Sequence, residues 1–148
     1  MACRTKAGDG MEIGPLSGLP VIRDLVTDRD AVAEAIKRGG VYSGAVVEEN
    51  APVKEDEAGA RLRRCLGCLA CLSTCEKRAA TPEFIGPYVF VKLAQFELDP
   101  RDNADRRQQA LDLGLEYCAG CKEKSCYCIN GIQIKKDVLG TLLSDTIL

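Results

Sequence analysis

The placement of its cysteines constrains this chain of 148 residues more than any other feature of the sequence. Of the nine cysteines, none lies between positions 4 and 64, whereas eight lie between positions 65 and 128. The first residues, Met1 to Lys6, form no apolar signal region. Because disulfides are typical of oxidising compartments, which secreted proteins reach through such a region, we expect a cytoplasmic chain whose cysteines act as reduced thiolate ligands.

The rest of the composition excludes several classes of function. The chain has no histidine, so Ser–His and Cys–His nucleophiles and the histidine-containing zinc sites of hydrolases are excluded. Its 20 basic and 22 acidic residues give a net charge of -2, which provides no field for attracting nucleic acid. No apolar stretch approaches the ~20 residues that span a bilayer, so we expect no membrane-spanning segment.

The first cysteine group is the run Cys65-Leu-Gly-Cys68-Leu-Ala-Cys71-Leu-Ser-Thr-Cys75, whose spacing is C-x2-C-x2-C-x3-C. This spacing matches the bacterial ferredoxin motif, in which three thiolates bind one iron–sulfur cluster and the fourth binds a second cluster. Structural zinc more often uses paired C-x2-C knuckles, and three cysteines in succession would leave one surplus. The run therefore favours iron–sulfur clusters, with a zinc-stabilised interaction module built on two four-cysteine sites as the alternative.

The second cysteine group, from Cys118 to Cys128, is less regular. If the ferredoxin scheme holds, one cluster is bound by Cys65, Cys68, Cys71 and Cys128, and the other by Cys75, Cys118, Cys121 and Cys126. The alternative is that Cys121 or Cys126 is a free buried thiol, because the x4 and x1 spacings depart from the usual x2 and x3. The predicted cofactors are two [4Fe–4S] clusters, the second of which becomes a [3Fe–4S] cluster under that alternative.

Local patterns predict a mostly helical chain. A connector rich in glycine and proline is predicted over 14–20, and an irregular solvated segment over 42–57. Helices are predicted from a cap at Thr27 or Asp28 to Gly39-Gly40, from a start bracketed by Pro82 and Pro87 to Asp99-Pro100, after a cap at Asp102, and over 135–143. In the third helix, the residues expected to face water are Arg106, Arg107, Gln108 and Gln109. No strand pattern follows residue 60.

Several stretches of the chain resemble the C-terminal part of the iron–sulfur subunit of succinate dehydrogenase/fumarate reductase. They are Met1 to Thr5, Ile13 to Leu25, the Cys65 run, Phe84-Ile-Gly-Pro87 through Asp102, and Cys118 to Ile134. The resemblance implies an alpha-helical, bacterial-ferredoxin-like domain over 27–148 that binds the two clusters. It also implies that 1–26 is a connector remnant that follows a [2Fe–2S] domain missing from this chain.

The resemblance implies an electron-transfer subunit with no catalytic residue of its own. Such a subunit relays single electrons between a flavoprotein and a second redox site, for example a quinone site of a membrane-anchor subunit at the inner face of the membrane. In the family, the last ligand of the [2Fe–2S] cluster lies in a segment similar to Ala2-Cys3-Arg4-Thr5. The other three ligands are missing, so we expect a fragment or one half of a split subunit, with Cys3 unpaired and the [2Fe–2S] domain as a separate partner.

The chain departs from the family in ways that bear on its electron acceptor. Glu76 and Ile129 replace the prolines that usually follow the last cysteine of each motif, and Lys124 stands where a third cysteine is expected. Cys121 occupies a place that is apolar in quinone-reactive members, which favours a four-iron cluster. The tryptophan and histidine of those members are absent, which argues against the usual quinone site. A soluble thiol- or disulfide-linked reductase is therefore an alternative partner system.

Basic residues flank both cysteine groups. They are Arg61, Arg63, Arg64, Lys122, Lys124, Lys135 and Lys136. Positive charge near a thiolate-bound cluster raises its reduction potential, which would suit electron transfer. For any single one of these residues, a solvated helix face is an equally good interpretation.

Overall fold

The connection between the two cysteine groups is helical in the computed structural model, which describes residues 5–44, 57–122, 126 and 128–143. The strands are β1 (Val21–Arg23) and β2 (Val26–Thr27). The helices are α1 (Asp30–Arg38), α2 (Glu57–Leu62), α3 (Ala70–Ser73), α4 (Glu76–Ala80), α5 (Pro87–Glu97), α6 (Arg106–Asp112), α7 (Leu115–Gly120) and α8 (Ile134–Leu142). The prediction of a mostly helical chain is confirmed for these residues, none of whose helices is long and apolar enough to cross a membrane.

The predicted connector lies along the surface and leads into a short hairpin. The Ser17 and Ser73 hydroxyls are 2.7 Å apart, which joins the connector to the end of α3. Strands β1 and β2 are antiparallel, with Val21 opposite Thr27, and Asp24 at the turn has a positive φ of 48°. The sequence patterns did not predict this hairpin.

The predicted helix before Gly39 is confirmed as α1, and its N-cap lies one or two residues after the predicted caps. Arg29, rather than Thr27 or Asp28, occupies the N-cap position. The Asp28 carboxylate instead accepts a hydrogen bond from the backbone N–H of Asp30 at 2.8 Å, so it still satisfies a free amide at the helix start. Gly39 ends the helix as predicted.

Helix α5 is the centre of the molecule. Its first residue is Pro87, the second of the two prolines that were predicted to bracket its start, and the helix packs against α2, α3, α6 and α8. Its side chains from Val89 to Leu93 are almost fully buried apart from Lys92. A helix that is apolar on most of its circumference is stable only when neighbours cover it on several sides. The other helices supply that cover, as do the cysteine-bearing loops that pack against the same core.

Helix α6 corrects two predictions. Asp105 caps it by accepting a hydrogen bond from the backbone N–H of Gln108, so Asp102 is not the cap. Arg106 was expected to face water but is only 3% exposed, because its guanidinium pairs with the Asp102 carboxylate. Gln109 also turns inward and donates to the backbone carbonyl oxygen of Gly39 at 2.7 Å. Gln108 is exposed as expected.

The last predicted helix is confirmed as α8, which packs against α5 and α2. Its Asp137 is buried and accepts hydrogen bonds from Arg61 of α2 at 2.8 to 3.1 Å. This ion pair fixes α2, and with it the start of the first cysteine group, to the helix that follows the second group. The predicted irregular segment has no helix or strand over 42–44, and 45–56 lies outside the described residues. Its last residue, Glu57, is helical rather than irregular, because it begins α2.

Candidate iron–sulfur sites

The eight cysteines of the two groups line two cavities, with four cysteines at each. The cavity called site 1 is lined by Cys65, Cys68, Cys71 and Cys128. The cavity called site 2 is lined by Cys75, Cys118, Cys121 and Cys126. None of the eight forms a disulfide. The two sets of four are those that the ferredoxin scheme predicts from the sequence.

Site 1 is built by a loop between α2 and α3. Cys65 follows α2, Cys71 lies within α3, and the loop turns through two residues with left-handed backbone, Gly67 at φ 63° and Leu69 at φ 64°. The fourth cysteine, Cys128, comes from the segment before α8. A hydrogen bond of 2.9 Å from the Asn130 side chain to the carbonyl oxygen of Arg64 joins the two segments beside the site. Local turns therefore place three thiols, and one long-range contact helps to place the fourth.

Site 2 collects its cysteines from three places. Cys75 is buried at the N-cap of α4, while Cys118 lies in α7 and Cys121 directly follows it. Cys126 comes from the segment between α7 and α8. The ring of Tyr117 meets Phe84 edge-on, with centroids 5.8 Å apart, and both rings line the cavity. This wall is mostly apolar, Tyr117 is itself 52% exposed, and of the four cysteines Cys75 is buried and the other three are half-buried.

Helix α5 divides the two sites. Tyr88 and Val91, three residues apart, line site 1, while Pro87 and Phe90, also three apart, line site 2. Residues at that spacing lie on one helix face, so two adjacent stripes of the same helix face two different cavities. Ile134, the first residue of α8, lines both cavities. At Ile134, the side chain of one residue therefore borders both sites.

The charges around the two sites differ. Lys77 and Lys135 line site 2, whereas no lysine or arginine is among the described residues that line site 1. The Lys77 ammonium lies 4.2 Å from the centroid of the Tyr117 ring. The Lys135 ammonium donates a hydrogen bond of 2.5 Å to the backbone carbonyl oxygen of Cys121. Both cations are therefore held beside the thiols of site 2.

One thiol at site 1 and two thiols at site 2 have raised pKa values. Burial, together with the neighbouring thiols of Cys65, Cys68 and Cys128, raises the pKa of Cys71 to about 12. Burial likewise raises the pKa of Cys118 to about 12, helped by neighbouring thiols of site 2 and opposed by Lys135. Metal binding requires deprotonated thiolates, whose mutual repulsion a cationic centre offsets. Each arrangement is therefore better suited to hold a positively charged group than to stay empty and ionised.

The donor sets fit iron–sulfur clusters by their chemistry. Each cavity offers four sulfurs, no carboxylate lines either one among the described residues, and the remaining walls are largely apolar. Four cysteine thiolates in a dry setting are the usual ligands of [4Fe–4S] clusters, and all-cysteine zinc sites use the same donors. Within the described ranges, no group of three or more cysteine, aspartate or glutamate side chains is placed to hold a single metal ion.

Sequence reasoning placed the thiols but missed most of what surrounds them. It did not single out Lys77, Tyr117 or Ile134, because their positions depend on how helices pack and leave no mark in local spacing. Lys135 was noted only as one of several flanking basic residues. Cys3 and Lys124 lie outside the described residues, so those expectations stay predictions.

Relatives of the chain are found by sequence and by structure, although no family model matches it. It is 30% identical over 144 residues to a fumarate reductase (CoM/CoB) subunit of Methanothermobacter marburgensis, covering 96% of this chain and 29% of that protein. It is 32% identical to the fumarate reductase iron-sulfur subunit of Mycobacterium tuberculosis, covering 89% of this chain and 59% of that protein. The chain therefore spans well under two thirds of the length of either relative.

A solved structure agrees with these sequence relatives. A chain of the Mycobacterium smegmatis Sdh1 complex in the apo form superposes with a TM-score of 0.66 at 27% identity, covering 91% of this chain and 63% of that one. The chain is therefore a relative of the iron–sulfur subunits of succinate dehydrogenase and fumarate reductase, and it corresponds to their C-terminal part.

Proposed function

We propose that this chain is the part of an electron-transfer subunit that carries two [4Fe–4S] clusters, one at site 1 and one at site 2. The observation that supports it best is the convergence of eight cysteines from two distant segments on two cavities, four to each. The ligands are Cys65, Cys68, Cys71 and Cys128 at site 1, and Cys75, Cys118, Cys121 and Cys126 at site 2. We assign these residues to an alpha-helical ferredoxin-like domain over 27–148, preceded by a connector over 1–26.

When bound, each cluster supplies a centre that accepts and releases one electron. The protein's own residues hold the thiolates and fix the spacing of the two sites. Phe90 lines site 2 and Val91 lines site 1, and both belong to α5. The helix therefore fixes the spacing of the two sites. The side chain of Ile134 borders both sites, which suits transfer between them without any movement of the chain.

The partners are proposed from the names of the relatives. Fumarate reductase and succinate dehydrogenase interconvert fumarate and succinate, a change of two electrons, so a relay of single-electron centres passes them one at a time. We propose a flavoprotein as the partner that exchanges electrons with fumarate or succinate. A membrane-anchor subunit and a separate [2Fe–2S] domain are the other proposed partners.

Iron analysis of the anaerobically purified full chain tests the cluster assignment. Two [4Fe–4S] clusters give roughly eight irons and eight inorganic sulfides per chain. Cys68→Ser and Cys118→Ser each remove one ligand from one site, so we expect each variant to keep about four irons. Cys3→Ser, outside both sets, is the matched control and leaves the iron content unchanged.

Several outcomes would contradict the proposal. A colourless protein that holds two zinc ions per chain would favour the zinc-stabilised module. Loss of all iron in both cysteine variants would contradict two separate sites. A three-iron paramagnetic signal from the oxidised protein would refute the four-iron assignment of site 2 alone, because one of its four cysteines would then be a free thiol.

A second candidate function is electron exchange with a thiol- or disulfide-linked partner. One relative carries the designation CoM/CoB in its name, which favours this candidate. The chain also lacks the tryptophan and histidine that the quinone-reactive members of the family carry. A quinone and a disulfide each take two electrons and two protons, so both acceptors consume two single-electron steps. Mixing the reduced chain with a soluble quinone or with a disulfide distinguishes them, because only the true acceptor type reoxidises the clusters rapidly.

A further inference from the structure

The two sites differ in the positive charge that surrounds them, although each has four cysteines. Two lysines line site 2, and no lysine or arginine is among the described residues lining site 1. The Arg29 guanidinium donates to the carbonyl oxygen of Gly67 at 3.4 Å in the loop of site 1, but Arg29 does not line that cavity. Site 2 is therefore the better environment for negative charge.

The place of Lys135 in α8 and one hydrogen bond of its side chain hold its ammonium beside site 2. Lys135 lies in the first turn of α8, directly after Ile134, and its side chain is half-buried. The ammonium donates to the carbonyl oxygen of Cys121 at 2.5 Å, which keeps the charge beside one cysteine of the site. Its neighbour Lys136 is exposed and does not line the cavity. The two adjacent lysines thus have different surroundings.

We propose that the ammonium of Lys135 raises the reduction potential of site 2 relative to that of site 1, so that an electron shared by the two sites resides mainly on site 2. This inference rests on the proposed function. Reduction adds one negative charge to a site already bound by four thiolates, and a fixed positive charge nearby stabilises the reduced form. Movement of one electron oxidises site 1 and reduces site 2, with no bond made or broken and no proton transferred.

A redox titration followed by electron paramagnetic resonance tests the inference on the iron-loaded full chain. Lys135→Gln removes the charge and keeps a hydrogen-bond donor for the Cys121 carbonyl. We expect the electron to favour site 2 about tenfold less, which lowers the more positive midpoint potential by ~59 mV for a one-electron couple. The other potential stays unchanged. Lys136→Gln is the matched control and moves neither potential, and Lys135→Arg keeps the original values.

The outcomes separate this inference from the proposed function. If Lys135→Gln loads iron normally and moves neither potential, or moves the lower one, the inference is wrong while the clusters stand. If Lys135→Gln loses iron, the potentials of Lys135→Arg are measured in its place. Arginine keeps the positive charge, so a fall in the more positive midpoint potential of Lys135→Arg would also overturn the inference. If the unmodified chain binds no iron, the proposed function fails and the inference fails with it.

Discussion

The buried ion pair between Asp102 and Arg106 is expected to stabilise the folded chain more than an exposed pair does. Asp102 accepts two hydrogen bonds from the Arg106 guanidinium, at 2.9 and 2.6 Å, and the two side chains are 2% and 3% exposed. The guanidinium also donates to the carbonyl oxygen of Tyr42 at 2.8 Å and lies 4.9 Å from the Phe96 ring centroid. Asp102 is therefore the only described carboxylate bonded to a guanidinium that water hardly reaches.

Replacing Asp102 with asparagine leaves that charge buried without its counter-ion. Removing one partner of a buried ion pair costs about 3–5 kcal/mol of unfolding free energy. For a chain of this size, each kcal/mol lowers Tm by roughly 2–4 °C, so we expect Asp102→Asn to lower Tm by about 6–20 °C. Far-ultraviolet circular dichroism of the iron-loaded protein during heating measures the change.

Asp99→Asn is the matched control. Asp99 also accepts two hydrogen bonds from an arginine, Arg101, at 2.9 and 2.7 Å, but the Arg101 side chain is 46% exposed. Solvent-exposed pairs contribute little to stability, so we expect Tm to fall by less than about 3 °C. Equal losses of Tm in the two variants would refute the argument that burial of the guanidinium decides the cost.

The same pair predicts a dependence on pH. Hydrogen bonds from Arg106 are the main reason that the pKa of Asp102 lies below its ordinary value. The carboxylate therefore binds its proton less readily in the folded chain, and its contribution to stability is fully present above the ordinary pKa of ~3.9. That contribution is lost as the pH falls through the folded pKa. The Asp102→Asn variant lacks this contribution at every pH. The difference in Tm between the unmodified chain and the variant should therefore become smaller as the pH falls.

Three further substitutions probe the packing around the sites. Gly86→Ala should destabilise the fold by more than about 1 kcal/mol, because Gly86 has a φ of 83° and an added Cβ would overlap the Leu72 side chain; a heat-stable variant would contradict this contact. Gly140→Ala in α8 meets no atom within 4 Å and should raise Tm by about 1–4 °C, from ~0.5–1 kcal/mol of added stability. Ile134→Ala should cost about 2–5 kcal/mol and alter the spectra of both clusters, whereas a change confined to one cluster would show that Ile134 does not separate them.

The sequence predicts features whose cause is local. The stretch that becomes α5 has its apolar residues at helical spacing after Pro87, and these features act within a few residues. The C-x2-C-x2-C-x3-C spacing likewise restricts which thiols a single loop can bring together. Arg106 shows where such reasoning ends, because its charge suggests a solvated face. Besides its local pair with Asp102, its guanidinium bonds the carbonyl oxygen of Tyr42, which is 64 residues away in sequence and reaches it only in the folded chain.

The arrangement of α5 and α8 ties the two sites to the hydrophobic core. Cys65, Cys71, Cys118, Cys126 and Cys128 all pack against the cluster of buried side chains centred on α5, and Cys75 belongs to it. Each thiol group therefore forms part of the wall that covers Phe90, Val91 and their neighbours. Because bound metal draws the thiolates together, its binding free energy contributes directly to folding. Because α5 lines both sites, loss of iron from one site should lower the free energy of unfolding of the chain, while the other site keeps its four irons.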